Sequence, residues 1–120
     1  MYGVNKVILV GTVGKDADVH TFDNGEKKAT TTLATTKRGY TLRNGTQVPD
    51  QTEWHNLAIS GGMAKVAEQY IKKGTNLYVE GEIHSRKFTN RQNAETWVTE
   101  IHVTDMHLIP SSGSQKPQQP

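Results

Sequence analysis

The sequence predicts an all-β fold, a small closed barrel of five strands with one helix between the third and fourth. Two observations carry this. Five segments are built from β-branched, aliphatic and aromatic residues bounded by turn formers, whereas only Gly61 to Gly74 spaces its apolar residues as a helix does. Closing the strands on one another also removes the unpaired edges they would otherwise present.

The first strand is predicted in "VNKVILVGTVG", β-branched and aliphatic, closed by Gly11 and Gly14 and expected to be mostly buried. Asn24-Gly25 in "HTFDNGEKK" predicts a tight turn, because both residues tolerate positive φ. "ATTTLATT", Ala29 to Thr36, is the second strand, with Leu33 its only large apolar side chain. From Lys37 to Gln51, "KRGYTLRNGTQVPDQ" carries Gly39, Asn44-Gly45 and Pro49 and predicts a long loop or flexible hairpin. Loops of this length in compact domains are often functional.

"TEWHNLAIS", Thr52 to Ser60, is the third strand. Alternate residues of a strand point to opposite faces, so Glu53, His55, Leu57 and Ile59 share the core face while Trp54, Asn56, Ala58 and Ser60 face away. In the helix that follows, Met63, Val66, Ala67, Tyr70 and Ile71 form the expected apolar stripe, and Gly74 is the expected stop.

"TNLYVEGEIHSRKF" is the fourth strand, with Leu77, Val79 and Ile83 on one face and Tyr78, Glu80, Glu82, His84, Arg86 and Phe88 on the other. After the turn "TNRQNAE", "TWVTEIHV" returns as the fifth, and Trp97 shares a face with Ile101 and Val103, so it is expected in the core. The apolar phase then changes to Met106 and Leu108, which predicts a bulge or bend near Asp105. The domain is expected over residues 1–109, and "PSSGSQKPQQP", 110–120, as a disordered tail. Three strands, a helix and two strands is the order of an OB-fold, a five-stranded Greek-key barrel whose outer face and loops bind oligonucleotides or oligosaccharides.

Composition narrows the chemistry. With 120 residues, 33% of them hydrophobic, the chain fits one small domain, and the absence of cysteine excludes disulfides and thiolate metal sites. The apolar run Val7 to Val10 is too short for a signal peptide or a membrane span, so a cytosolic protein is expected. A net charge of +2 is small, yet Lys37, Arg38 and Arg43 fall in one acid-free segment and Arg86, Lys87 and Arg91 in another.

No nucleophilic cysteine, phosphate-binding glycine loop or helical His pair suggests an enzyme or a metal cofactor. The five histidines are scattered, and Glu80 and Glu82 read as a solvated face. The basic and aromatic residues say more. Sequence-tolerant binding of single strands needs aromatic faces for bases and cations along the phosphates, and both interleave in "KRGYTLR" and "SRKFTNR". Each aromatic has a plainer alternative: Tyr40 as an anchor of its loop, Phe88 packed under a hairpin tip, Trp54 against a neighbouring subunit.

In this order, "VNKVILVGTVGKDADV", "LATT", "QTEWHNLAIS", "MAKVAEQYIKKGTNLYVEGEI" and "RKFTN" resemble the bacterial single-stranded DNA-binding protein family over nearly all of residues 4–109. The loop "RGYTLRNGTQVP" is similar to its Bacteroides-like branch. The resemblance implies a homotetramer around which single-stranded DNA wraps, in replication, recombination and repair. It puts the stacking aromatics on Tyr40, Trp54 and Phe88, and phosphate contacts on Arg43, Lys73, Arg86 and Lys87, to which Lys37 and Arg38 add from the basic loop. It assigns subunit contacts to Asn5, Lys6, Val7, His55 and Tyr78.

The chain departs from the family pattern at Ser60, where many relatives stack a Phe, at Asn56 and His84, often Arg, and at Gly62, often Lys. A redistributed DNA path leaning on the Tyr40 loop is therefore expected. Relatives usually end in an acidic tip that recruits replication and repair proteins. Here no acid follows Asp105, so such partners are expected only if a tip lies beyond Pro120. The alternative reading is an OB-fold that docks proteins in a replication or primosome complex.

Overall fold

The structure, a computed structural model, describes residues 1–110; from Ser111 onward the tail expected over 110–120 lies outside the described residues. Along the chain run β1 (Val7–Val13), β2 (Asp18–Thr21), β3 (Lys27–Lys37), β4 (Tyr40–Thr41), β5 (Gln47–Val48), β6 (Gln51–Ser60), α1 (Gly62–Tyr70), β7 (Asn76–Thr89) and β8 (Glu95–Ile109). Five of the strands close a barrel in the order β1-β7-β8-β6-β3, with β3 returning to β1. The helix connects the third barrel strand to the fourth, as expected of an OB-fold. All pairings are antiparallel except β6 with β8, which is parallel at Leu57↔Ile101 and Ala58↔His102.

Closure depends on one short contact. β1 meets β3 only at Thr12↔Ala34 and Val13↔Leu33, while β2 occupies the same edge of β3 further back, at Lys27 to Thr30. There β1 comes so near β3 that a β-carbon on Gly11 would stand 2.1 Å from the Ala34 carbonyl oxygen. Only glycine permits that approach.

The core inside the barrel is Val13, Ala29, Leu33, Leu57, Ile59, Leu77, Val79, Ile101 and Val103, capped at one end by Ala64, Ala67 and Ile71 from α1 and its C-terminus. Each fully buried Leu or Ile side chain contributes about 1.5–3 kcal/mol. The expected helical stripe is rotated. Met63, Ala67 and Ile71 do pack on the barrel, but Val66 and Tyr70 are exposed and Ala64 takes their place. Two alanines let the helix backbone sit close over the barrel end, where a Val and a Tyr would hold it off.

The first strand also differs from expectation. Instead of being mostly buried, β1 alternates: Val7 and Leu9 pack toward the core, whereas Ile8 and Val10 are each 56% exposed. The bulge expected near Asp105 is present. Glu80 pairs with Asp105 and Gly81 with Val103, so Thr104 is the extra residue that shifts the apolar phase of β8.

β7 and β8 pair along almost their whole lengths, from Asn76↔Ile109 to Thr89↔Glu95, and run past the barrel as a two-stranded arm. The side chains on the core face of these strands therefore emerge into solvent. Ile101 is buried, its partner Ile83 is half exposed, and Trp97, expected in the core, is 65% exposed. The alternation held for Trp97; the barrel ends before reaching it.

Candidate nucleic-acid interface

The outer face of β3 and β6 carries one exposed ring, Trp54. Cross-strand partners share a face, so Trp54, Ala34 and Thr12 form a row continued to Asn76, whose side-chain oxygen accepts from Thr12 Oγ1 at 2.9 Å. Thr30, Thr32 and Thr36 of β3 flank the row. Trp54 is 60% exposed and leans across Gly14, where a β-carbon would fall 2.3 Å from its Cζ3 atom. Lys73 stands near the same loop, because its backbone N–H donates to Asp16 Oδ1 at 2.9 Å.

The wall continues through the parallel Ala58↔His102 pairing onto the arm, where His102 and Glu100 share a face with His84, Arg86 and Phe88. Trp54, Arg86 and Phe88 thus lie on one continuous face, as the alternation predicted. Arg86 is not free on it. Its guanidinium forks onto the buried Glu100 carboxylate, Nε at 3.3 Å and Nη2 at 3.4 Å, and lies 5.9 Å from the Phe88 ring centroid. Phe88 is 38% exposed, with the Arg86 cation over its ring.

Glu100 was not singled out by sequence, and its setting is electrostatic. Burial pushes its carboxyl up, but hydrogen bonds from Arg86 and His102 and the positive charges of Arg86 and Lys28 outweigh this and hold it below the usual carboxylate range. The His102 and His84 rings stack nearly parallel with centroids 4.0 Å apart, and His84 Nε2 lies 3.1 Å from Glu82. A Glu and a His two residues apart on an outward face were the only signal in the sequence.

The segment expected as a long loop or flexible hairpin is a short hairpin, β4 on β5, pairing Tyr40 with Val48 and Thr41 with Gln47. Its tip is closed by Leu42 and Thr46, with Asn44 Oδ1 accepting from the Thr46 N–H at 2.9 Å. Its base is tied by the Gly39 N–H donating to Asp50 Oδ1 at 2.7 Å. Lys37, Arg38, Tyr40, Val48, Pro49 and Gln51 line a pocket of about 90 Å³ at this base. Tyr40 is 56% exposed, and among the described residues Lys37, Arg38 and Arg43 take part in no ion pair. The hairpin offers an aromatic face and free cations together.

Lys87 departs from the expected cluster. Strand alternation turns it to the face of the arm opposite Arg86 and Phe88, where it meets Glu95 at 3.3 Å and Trp97.

Three of the residues expected at subunit contacts gather on the β1–β7 wall. Asn5 grips Ile83 through two 2.9 Å hydrogen bonds, Nδ2–H to its carbonyl and its N–H to Oδ1. Lys6 pairs with Glu80 at 3.3 Å, and the Tyr78 hydroxyl donates to the same carboxylate. These contacts raise the Tyr78 hydroxyl pKa, chiefly through the bond to Glu80, and lower that of Glu80, chiefly through Tyr78 and then Lys6. Ile8 and Val10 lie exposed on this wall beside Glu80 and Tyr78, their strand partners; sequence reading missed them because both faces of β1 are apolar. Val7 instead points inward, and His55 lies elsewhere, its Nε2 2.9 Å from Thr35 Oγ1.

Among the described residues no group of three or more His, Asp or Glu side chains is arranged to hold a metal ion, and no helix is long and apolar enough to cross a membrane. The comparisons with known proteins agree with the geometry. The model of the "Single-strand binding protein family" matches residues 4–109. A "Single-stranded DNA-binding protein" of Bacteroides thetaiotaomicron is 48% identical over 111 residues, 92% of this chain and 69% of that protein. The fold superposes on the structure titled "Plasmodium falciparum SSB complex with ssDNA" with a TM-score of 0.82 at 28% identity, covering 92% of this chain and 98% of that one.

Proposed function

The chain belongs to the single-strand binding protein family, and from that premise we propose that it binds single-stranded DNA without strong sequence preference, coating and protecting it during replication, recombination and repair. Its work is binding rather than catalysis. The observation that carries this reading is the continuous outer face bearing Trp54, Arg86 and Phe88, with the Tyr40 hairpin and its unpaired cations nearby. Stacking contributes about 1–3 kcal/mol per base, so three rings supply several kcal/mol before any phosphate contact.

In this reading Lys37, Arg38, Arg43 and Lys73 follow the phosphates directly, and Arg86 does so in competition with Glu100. Ile8, Val10 and Tyr78 with Asn5 and Lys6 form a wall that a second copy covers within a homotetramer, since paired exposed aliphatics on a sheet face favour burial. His55 is assigned to a separate subunit contact. Such a protein works in the cytoplasm, on the nucleoid.

Titration with oligo(dT), with mass measurement of free and bound protein, tests ligand and subunit number together. Quenching of tryptophan emission and a tetramer mass are expected. A defined oligomer that ignores oligo(dT) would overturn the reading in favour of protein docking.

A further inference from the structure

We propose that Trp97 and Lys87 form a second stacking site for single-stranded nucleic acid, on the face of the β7–β8 arm opposite Arg86 and Phe88. This rests on the reading of the protein as a single-strand binder and extends it to a surface the outer wall does not include.

Three observations lead there. Trp97 is 65% exposed, slightly more than Trp54, and the chain has only these two tryptophans. It stands on the continuation of the core face beyond the barrel, in a cross-strand pair with Lys87. The Lys87 ammonium lies 5.6 Å from the Trp97 ring centroid, so a cation and an aromatic face are presented together, the combination that holds a base and its phosphate.

Lys87 is paired with Glu95 at 3.3 Å, but both side chains are about half exposed or more. Exposed pairs of this kind are worth little, so a phosphate can replace the carboxylate at small cost.

The surroundings favour nucleic acid over a second copy of the chain. Ser85, Thr99, Lys87, Glu95 and Thr89 are polar neighbours along the same face, and the one other exposed apolar residue there, Ile83, lies back at the barrel mouth. A subunit interface would have an apolar centre, as the Ile8–Val10 wall does. A lone ring rimmed by hydroxyls and a cation suits a base.

The test uses the full chain with Trp54→Phe, in which all tryptophan emission comes from Trp97. A fluorescently labelled oligo(dT) long enough to span the arm reports binding independently through its anisotropy. Trp97 emission should fall as anisotropy rises, and Trp97→Ala should weaken binding of the same oligonucleotide about fivefold or more with the subunit number unchanged. If the oligonucleotide binds while Trp97 emission stays constant, the second site is wrong and the single-strand reading stands. If the oligonucleotide fails to bind the wild-type protein, the underlying reading fails with it. A changed subunit number in Trp97→Ala would overturn the proposal in favour of a subunit contact.

Discussion

The Trp54 indole rests on Gly14, close enough that a β-carbon there would fall 2.3 Å from Cζ3 and 2.9 Å from Cη2. The glycine sets the tilt of the ring from another strand's end. Gly14→Ala should leave the barrel folded, since Trp54 is mostly exposed and can swing away, but it should weaken oligo(dT) binding by about 1 kcal/mol through lost stacking. Melting temperature and tryptophan quenching check the two halves; unchanged quenching would show that the tilt does not matter.

Gly11→Ala should behave in the opposite way. Its β-carbon would meet the Ala34 carbonyl oxygen at 2.1 Å, a backbone atom that cannot turn aside. The β1–β3 seam must open, at a cost of about 3 kcal/mol or more, which lowers the melting temperature by roughly 10 °C or more. Thermal unfolding followed by circular dichroism decides it.

Glu100→Gln should release Arg86 toward DNA. Because Arg86 is 56% exposed, the lost pair should cost only about 1 kcal/mol of stability. Affinity for oligo(dT) should rise, and the log-log salt dependence should steepen by about 0.7 as one more phosphate contact forms. A salt slope equal to wild type would mean that Arg86 leaves Glu100 unaided or never reaches a phosphate.

Acid should destabilise the fold in a defined window. Glu80 and Glu100 have folded pKa values below the ordinary value of 4.5, so the unfolded chain takes up protons first as pH falls. Their stabilisation is fully present above about pH 4.5 and is lost as pH drops through the lower folded values. The Tyr78 hydroxyl, raised above 10.0, works in reverse, with stabilisation present below that value and lost as pH climbs through the raised one. Denaturant unfolding between pH 5 and 3 should show a shallower loss in Glu80→Gln than in wild type.

Local pattern was enough for the strand order, the helix position, the Trp54 face and the Thr104 bulge, because each follows from alternation or a break in it. Three features needed the assembled chain. Trp97 keeps its parity but outruns the barrel, and strand periodicity carries no information about where a barrel stops. The helix turned toward Ala64 rather than Val66 because the best fit over the barrel end is set by closeness, which an apolar stripe does not encode. Arg86 follows alternation onto the outer face, but its capture by Glu100 joins residues on two strands whose register is set by the turn over 90–94, which strand alternation does not encode.

The Asn5 amide bonding both backbone groups of Ile83 has a further consequence. A side chain here imitates one rung of a ladder, just where β1 stops pairing with β7 at Val7↔Gly81. It therefore acts as an index mark for the strand. A slip of one residue would break both bonds and also turn Tyr78 and Glu80 inward while expelling Leu77 and Val79. The amide checks the alignment of a long strand from its edge, and in doing so occupies hydrogen-bonding groups through which a stray strand could otherwise attach.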